Sequence, residues 1–323
     1  MYTKTKLRSK QDPNKFEKVY AELENLYNDN FRAGEIKLNK RTSLAAALII
    51  TATILLLVIL VQTIIEPNTI NLTLVAIAVG LIFITPLLYI KQSSDETSFP
   101  RRFKEIIIGT LIRNFDKNLV LNPENIDKEE IIQAYKDTGY EVYSIKYHSH
   151  IDDVITGNLN NGKHIRMSEA HFQRHSGKRT IHLFGGMFIE TTLSKSIKDE
   201  IRVLLPSFDE IYNLDSCTKV ELDHHEFENI FNVYTTNQIS AVQLLTSEAL
   251  EKLTSLRNDY GMNFDFVIKG NKLFIRLETG TMFETAVQRS KLHKEDMLAY
   301  YSILNYIELL VNELNKMVDD SSI

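Results

Sequence analysis

Six of the nine histidines fall within thirty-five residues, at His148, His150, His164, His171, His175 and His182, with the carboxylates Asp152, Asp153 and Glu169 among them. Imidazole nitrogen and carboxylate oxygen are the donors of many zinc and manganese sites. In a strand, side chains repeat every second residue, so His148-Ser149-His150 presents two imidazoles on one face. His148, His150, Glu169 and His171 therefore define the enzymatic reading of this chain, a metal-dependent hydrolase. Against it, no HExxH helix is present, and with a single cysteine, Cys217, there is no CxxC pair. Histidines facing solvent from polar strands answer to the same pattern, and on that reading the chain has no cofactor and no catalytic residues.

Ser168-Glu169 could serve as nucleophile and base only with a long-range partner. Gly157, Gly185 and Gly186 sit where a strand needs a bulge or a close backbone approach. No Gly-Lys-Ser/Thr helix start follows them, so they do not form a phosphate-binding loop.

Short strands must present these groups. Glu141 to His148, Asp153 to Leu159, His164 to Gln173 and Arg179 to Thr192 read as strands, separated by Asn160-Asn161-Gly162 and Ser176-Gly177-Lys178 turns. The result is an antiparallel meander. Phe264 to Ile268 and Lys272 to Leu277 form a further hairpin about Gly270-Asn271. Helices flank the strands. One spans Lys128 to Thr138, and another runs from Thr246 or Ser247 to Tyr260 and closes at Gly261. A long one, from about Lys294 to Val318, carries Tyr300, Leu304, Ile307, Val311, Leu314 and Val318. Ile303, Leu310 and Met317 widen that stripe, which suits packing on a sheet better than a two-stranded coil.

Upstream, Leu44 to Ile65 and Ile70 to Ile90 are uncharged apolar runs joined by Glu66-Pro67-Asn68-Thr69. At ~1.5 Å per residue each can cross a ~30 Å hydrocarbon layer. Lys37, Lys40 and Arg41 precede the pair, Lys91, Arg101, Arg102 and Lys104 follow it, and the link has no basic residue. Both termini are therefore expected in the cytoplasm, with the hairpin in the cell membrane. Neither run holds an ionisable residue, so the hairpin reads as an anchor rather than a transport path.

The expected fold class is α+β: a two-helix transmembrane hairpin followed by a cytoplasmic domain of antiparallel strands, flanking helices and a long C-terminal helix. Residues 1–41 hold an amphipathic helix, 42–91 the hairpin and 92–323 the cytoplasmic domain. The first helix, opening at Asp12-Pro13 with Phe16, Tyr20, Leu23 and Tyr27 on one face, docks on the domain or joins a homo-oligomer. A helix from Pro100 to about Asn118 is amphipathic; Arg101, Arg102 and Lys104 could lie on anionic lipid, or its apolar face could pack on the core. A net charge of -5 and a pI of 6.0 give no pull toward nucleic acid. The partners expected are the lipid bilayer and a protein at the membrane.

Between Pro100 and Glu284 the order of motifs resembles the DUF3137 family of bacterial membrane proteins of unknown function. The residues that carry it are Asp153-Val-Ile-Thr-Gly157, Ile165-Arg-Met-Ser168-Glu169-Ala-His171, Leu183-Phe-Gly185-Gly186-Met-Phe188, Phe227 to Asn237, Asn271 to Ile275 and Met282-Phe-Glu284. The resemblance implies two spans followed by an α+β domain, and no activity. The function expected is a membrane-anchored binding or scaffold module without catalysis, the hydrolase being its alternative.

Overall fold

An amphipathic helix opens the described chain. The computed structural model describes residues 13–65, 77, 80, 99–121, 127–139, 147–159, 162–176, 179–206, 214–283 and 292–323. Helix α1 (Pro13–Tyr27) buries Phe16, Val19, Leu23 and Tyr27 against this chain's own core, with the Phe16 ring 5.7 Å from that of Tyr301. Its expected cap, Asp12, lies outside the described residues.

A π-turn (Asn28–Arg32) leads into α2 (Ala33–Ile65), 33 residues long. Leu44, Ile49, Ile50, Ile54, Leu57, Leu60 and Ile65 on α2 are exposed. Partial or full burial follows one stripe, Leu48, Ala52, Leu55 and Ile59, at spacings of four, three and four. Among the described residues no helix is long and apolar enough to cross a membrane. The uncharged stretch of α2 itself runs from Leu44 to Ile65, but the side chains at 45 and 62–64 are outside the description. The link 66–69 and the second run, except Ile77 and Gly80, also lie outside it. Of the expected fold, the mixture of helices and antiparallel sheet is present, and the transmembrane hairpin is not found among the described residues.

The chain returns as α3 (Phe99–Phe103), a second π-turn (Lys104–Ile108) and α4 (Gly109–Phe115), close to the helix expected from Pro100 to Asn118. Phe103, Ile107, Ile108, Leu111 and Ile112 are buried, so the apolar face packs on the core rather than on lipid. The helix stops at Asp116, whose extended backbone lets its Oδ1 accept the Asn118 N–H at 2.9 Å.

The sheet is antiparallel throughout. Strands β1 (Leu119–Leu121), β2 (Tyr147–Asn158), β3 (His164–Ser176) and β4 (Arg179–Leu204) lie side by side, with helix α5 (Lys128–Asp137) between β1 and β2 in sequence. β5 (Thr218–Val220) and β6 (Asn232–Thr235) extend the far edge beyond β4. The Ser176↔Arg179 pair fits a two-residue turn, and Gly162 at φ +80 closes the other loop. Asn160, Asn161, Gly177 and Lys178 lie outside the described residues, as does most of the strand expected from Glu141.

β7 (Phe264–Leu277) folds back on itself at Gly270-Asn271, as expected. The Glu278 N–H donates to Asn263 O at 3.0 Å, and Arg276 Nε donates to Asp265 Oδ1 at 2.8 Å. A straight strand would hold residues 265 and 276 about 36 Å apart. One arm of this hairpin pairs Lys272–Leu277 with Thr192–Met187, and the other pairs Phe266–Ile268 with Val203–Ile201. β4 therefore passes round the hairpin tip, where Ile197 meets Gly270, instead of ending at Thr192. The β7 hairpin is nested inside β4.

Helix α6 (His225–Glu228) precedes β6, and α7 (Gln238–Leu244) and α8 (Ser247–Tyr260) precede β7. Thr246 Oγ1 accepts the Ala249 N–H at the start of α8, and Gly261 ends it with φ +64. The last helix, α9 (Lys294–Asp320), buries a wide stripe from Met297 to Val318 and packs on β4, α4 and α1. Its width follows from covering a sheet and a helix at once.

Candidate functional site

Two features stand at the junction between α2 and the sheet. The first is aromatic. Phe31, in the first π-turn, has its ring centroid 5.3 Å from Phe99 and 5.9 Å from Phe103, and Tyr27 stacks on it at 5.7 Å. The Arg102 guanidinium lies 5.6 Å from the Phe31 centroid. The chain that departs at Ala33 thus comes back to its starting point at Phe99.

The second feature is ionic and buried. Lys104 is, with Arg101 and Arg102, a candidate for the lipid surface, packing on the core being the alternative. Those two are exposed, and Arg101 pairs with Glu105 at 3.1 Å. Lys104 instead points inward, its ammonium 2.7 Å from Asp153 Oδ2 and 3.2 Å from Asp152 Oδ2. Its position was a signal, because Lys104 shares a helical face with Ile108 and Leu111, both buried. Its partners, 48 and 49 residues away, left none.

Asp153 sits at a β-bulge. The β2–β3 register shifts between Asp152 and Ile155, and Asp153 takes φ +46, a left-handed backbone rare for a side chain other than glycine or asparagine. Its side chain is fully buried, and Oδ1 has no hydrogen-bond partner among the described residues. Burial, reinforced by Asp152 and Glu169, lifts its carboxyl from the ordinary 3.8 to about 7 against the pull of Lys104. Glu169, opposite Asp152 on β3, is 2% exposed; Oε1 meets His171 Nε2 at 3.2 Å, and Oε2 has no partner among the described residues. Three carboxylates and one ammonium are gathered here, and two of the carboxylate oxygens meet no hydrogen-bond donor among the described residues.

The remaining motif residues make core and backbone contacts. Ser168 is buried, with its hydroxyl 3.4 Å from Phe188 O. Phe188 joins Tyr135 in the core at 4.8 Å. A Cβ on Gly186 would come within 2.1 Å of Leu277 O, and one on Gly157 within 2.0 Å of Asn118 O, so both glycines permit close backbone approach. Gly185 lies opposite His171. Register places His150 opposite His171 and His148 opposite Gln173; the side chains of His148, His150, His175 and His182 lie outside the description. His164 Nε2 is 3.3 Å from the Thr156 hydroxyl, and His224 caps α6 by accepting the Phe227 N–H. Among the described residues no group of three or more His, Cys, Asp or Glu could hold a metal ion.

A second buried pair lies inside the nested hairpin. Arg276 forks onto both oxygens of Asp265, reaches Tyr135 Oη at 3.4 Å and lies 5.6 Å from the Phe184 ring centroid. Burial raises the Asp265 carboxyl, and Arg276 opposes the rise.

Residues 182–316 match the model of the family described as a protein of unknown function, DUF3137. The match is to that stretch of the chain. It covers β4 from His182, the nested β7 hairpin and most of α9. The expected extent, Pro100 to Glu284, is thereby shifted: the motifs around Asp153 and Ser168 precede the match, and α9 belongs to it. No curated protein matches the chain. A crystal structure of the mycobacterial trehalose monomycolate transport factor A, TtfA, is similar over 64% of this chain and 95% of that chain, at 12% identity and a TM-score of 0.36. Similarity that distant transfers no activity.

Proposed function

We propose that this protein is a membrane-anchored binding or scaffold module, without catalysis, whose DUF3137 segment lies in an α+β domain held at the cytoplasmic face. The observation that carries the reading is the return of the chain to Phe31 at Phe99. Helix α2 has 33 residues and so runs about 50 Å outward. After the link, residues 70–98, 29 in number, are enough for a helical return of about 44 Å. The exposed Leu and Ile side chains of α2 support a lipid environment, since each left in water forgoes roughly 1.5–3 kcal/mol. The single stripe Leu48, Ala52, Leu55 and Ile59 is what one neighbouring helix would cover. Basic residues flank the pair and are absent from its link, which favours both termini in the cytoplasm. Phe31 precedes Leu44 by 13 residues, about 20 Å of helix, so the domain stands off the bilayer on a stalk. That distance also removes Arg101 and Arg102 from the lipid surface.

Cysteine labelling tests the topology. In a Cys217→Ser background, Asn68→Cys should react with a membrane-impermeant maleimide in intact cells, and Ser322→Cys only after permeabilisation. The reverse pattern, or labelling of both, overturns the reading. Metal analysis of the purified chain tests the absence of catalysis: stoichiometric zinc or manganese lost on His150→Ala would replace the scaffold with the hydrolase. In vivo crosslinking then names the protein partner.

A further inference from the structure

Among the large apolar side chains described outside α2 and Ile77, three are exposed: Val120, Ile239 and Val242. Ile239 and Val242 stand one turn apart on α7, a helix without a charged residue, and are 70% and 54% exposed. The helix ends at Leu244, and Leu244 lines a surface groove of about 350 Å³ between α8 and the last turns of α9. The groove floor is apolar, with Leu244 and Leu253 buried and Met317 half-buried. Its rim is charged, with Glu248, Glu251 and Lys252 on α8 and Glu313, Lys316 and Asp320 on α9. Carboxylates outnumber ammoniums there four to two. Lys252 is engaged with Glu313 at 3.3 Å, and Glu248, Glu251 and Asp320 have no ion pair among the described residues.

The groove lies at the end of the domain remote from the stalk. Lys294 opens α9 beside Glu17 and the Tyr20 ring, and Tyr301 further along meets Phe16. Contacts therefore step backward along α1 as α9 advances, while α1 runs on to Phe31. Glu313 to Asp320 follow Tyr301 by 12 to 19 residues, about 18–28 Å of helix leading away from Phe31. That position and the acidic rim both disfavour an anionic lipid surface as the occupant. A channel between two helices accepts a third helix, whose apolar face fills the floor and whose polar face meets the rim. An excess of carboxylates on the rim selects Lys and Arg for that polar face.

Resting on the scaffold reading above, we propose that this groove, continued by Ile239 and Val242, is the docking site for a basic amphipathic helix of a partner protein. The apolar stripe of that helix covers Leu253, Met317 and Val242, and its basic residues meet Glu248, Glu251 and Asp320. The domain thus holds its partner on the face turned away from the bilayer.

Photocrosslinking of the full chain in intact cells tests this, with benzoylphenylalanine in place of Gln243 or of Ser255, both exposed. Sequencing of the crosslinked peptide should give a segment with apolar residues at helical spacing and Lys or Arg between them. Ile239→Ser with Val242→Ser, and separately Glu251→Lys with Asp320→Lys, should each lower the adduct yield at least about fivefold. These four side chains are exposed, so the circular dichroism should stay that of the wild type. Glu251→Gln with Asp320→Asn should give an intermediate yield, and decides the charge effect if the reversal disturbs folding. Absence of an adduct overturns the proposal, as does a crosslink to a second copy of this chain, to lipid or to an acidic or uncharged segment. Undiminished yield in the apolar pair or in the charge variants overturns it as well. A partner captured only from benzoylphenylalanine at Val120, on the β1 edge, would remove this groove and leave the scaffold reading standing.

Discussion

Arg276→Met should be among the most damaging single changes in the domain. Arg276 and Asp265 are 3% and 2% exposed, and the guanidinium satisfies both carboxylate oxygens. Methionine fills much of the same volume, so the loss is chiefly electrostatic: Asp265 remains buried with its charge uncompensated. Breaking such a pair from one side costs about 3–5 kcal/mol. For a domain of this size that is a fall in Tm of roughly 6–20 °C. The deficit has a pH signature. Without Arg276 the Asp265 carboxyl rises further above its unfolded value, so the variant must bind a proton to fold. Its stability relative to wild type is then nearest normal at low pH and worsens as pH rises. Asp265→Val with Arg276→Met removes both charges and should recover most of the loss. Urea unfolding of the full chain in detergent, followed by near-UV tyrosine circular dichroism, reads this out, since the chain has 14 tyrosines and no tryptophan. A loss under about 1 kcal/mol for Arg276→Met, or a double variant no more stable than the single one, would refute the reasoning.

Gly186→Ala should destabilise by about 2 kcal/mol or more, because its Cβ would meet backbone atoms of Leu277 and Thr279 that cannot give way as a side chain could; the same titration measures it. Thr246→Ala should cost about 1 kcal/mol by leaving the Ala249 N–H uncapped, and Thr246→Ser should restore it. Phe31→Ala should cost about 3–5 kcal/mol and raise proteolysis near Phe99, with Phe31→Leu much milder; unchanged proteolysis would show that the aromatic contact does not hold the stalk.

Much of the local architecture was legible because its determinants lie within a few residues of one another. Thr246 and Gly261 bracket α8 by a side-chain cap and a left-handed stop. Gly270-Asn271 between two apolar runs marked the β7 turn. The wide stripe on α9 foretold a helix lying on other elements rather than on a twin. Gly186 was read as a point of close approach, though not against which backbone.

The buried Lys104–Asp153 pair was hidden for a different reason. Lys104 looked like one of a basic trio beside the membrane, since composition records charge and not direction. The π-turn and the Asp153 bulge that bring the two together are departures from periodicity, invisible to a reading that relies on periodicity. β4 showed the same limit: its signal weakened after Thr192, where the strand in fact rounds the tip of another hairpin.

Taken alone, then, the amino-acid sequence determined the elements, the α+β class, the two apolar runs and the charge asymmetry around them, because each depends on propensity or hydropathy over short windows. Only the tertiary structure decided which strand β7 enters, that α1 docks on its own chain, that Phe31 meets Phe99, and that Lys104 is buried on Asp153. Those pairings join residues tens to hundreds of positions apart, and they are selected by the shared burial of a whole core rather than by any local run of residues.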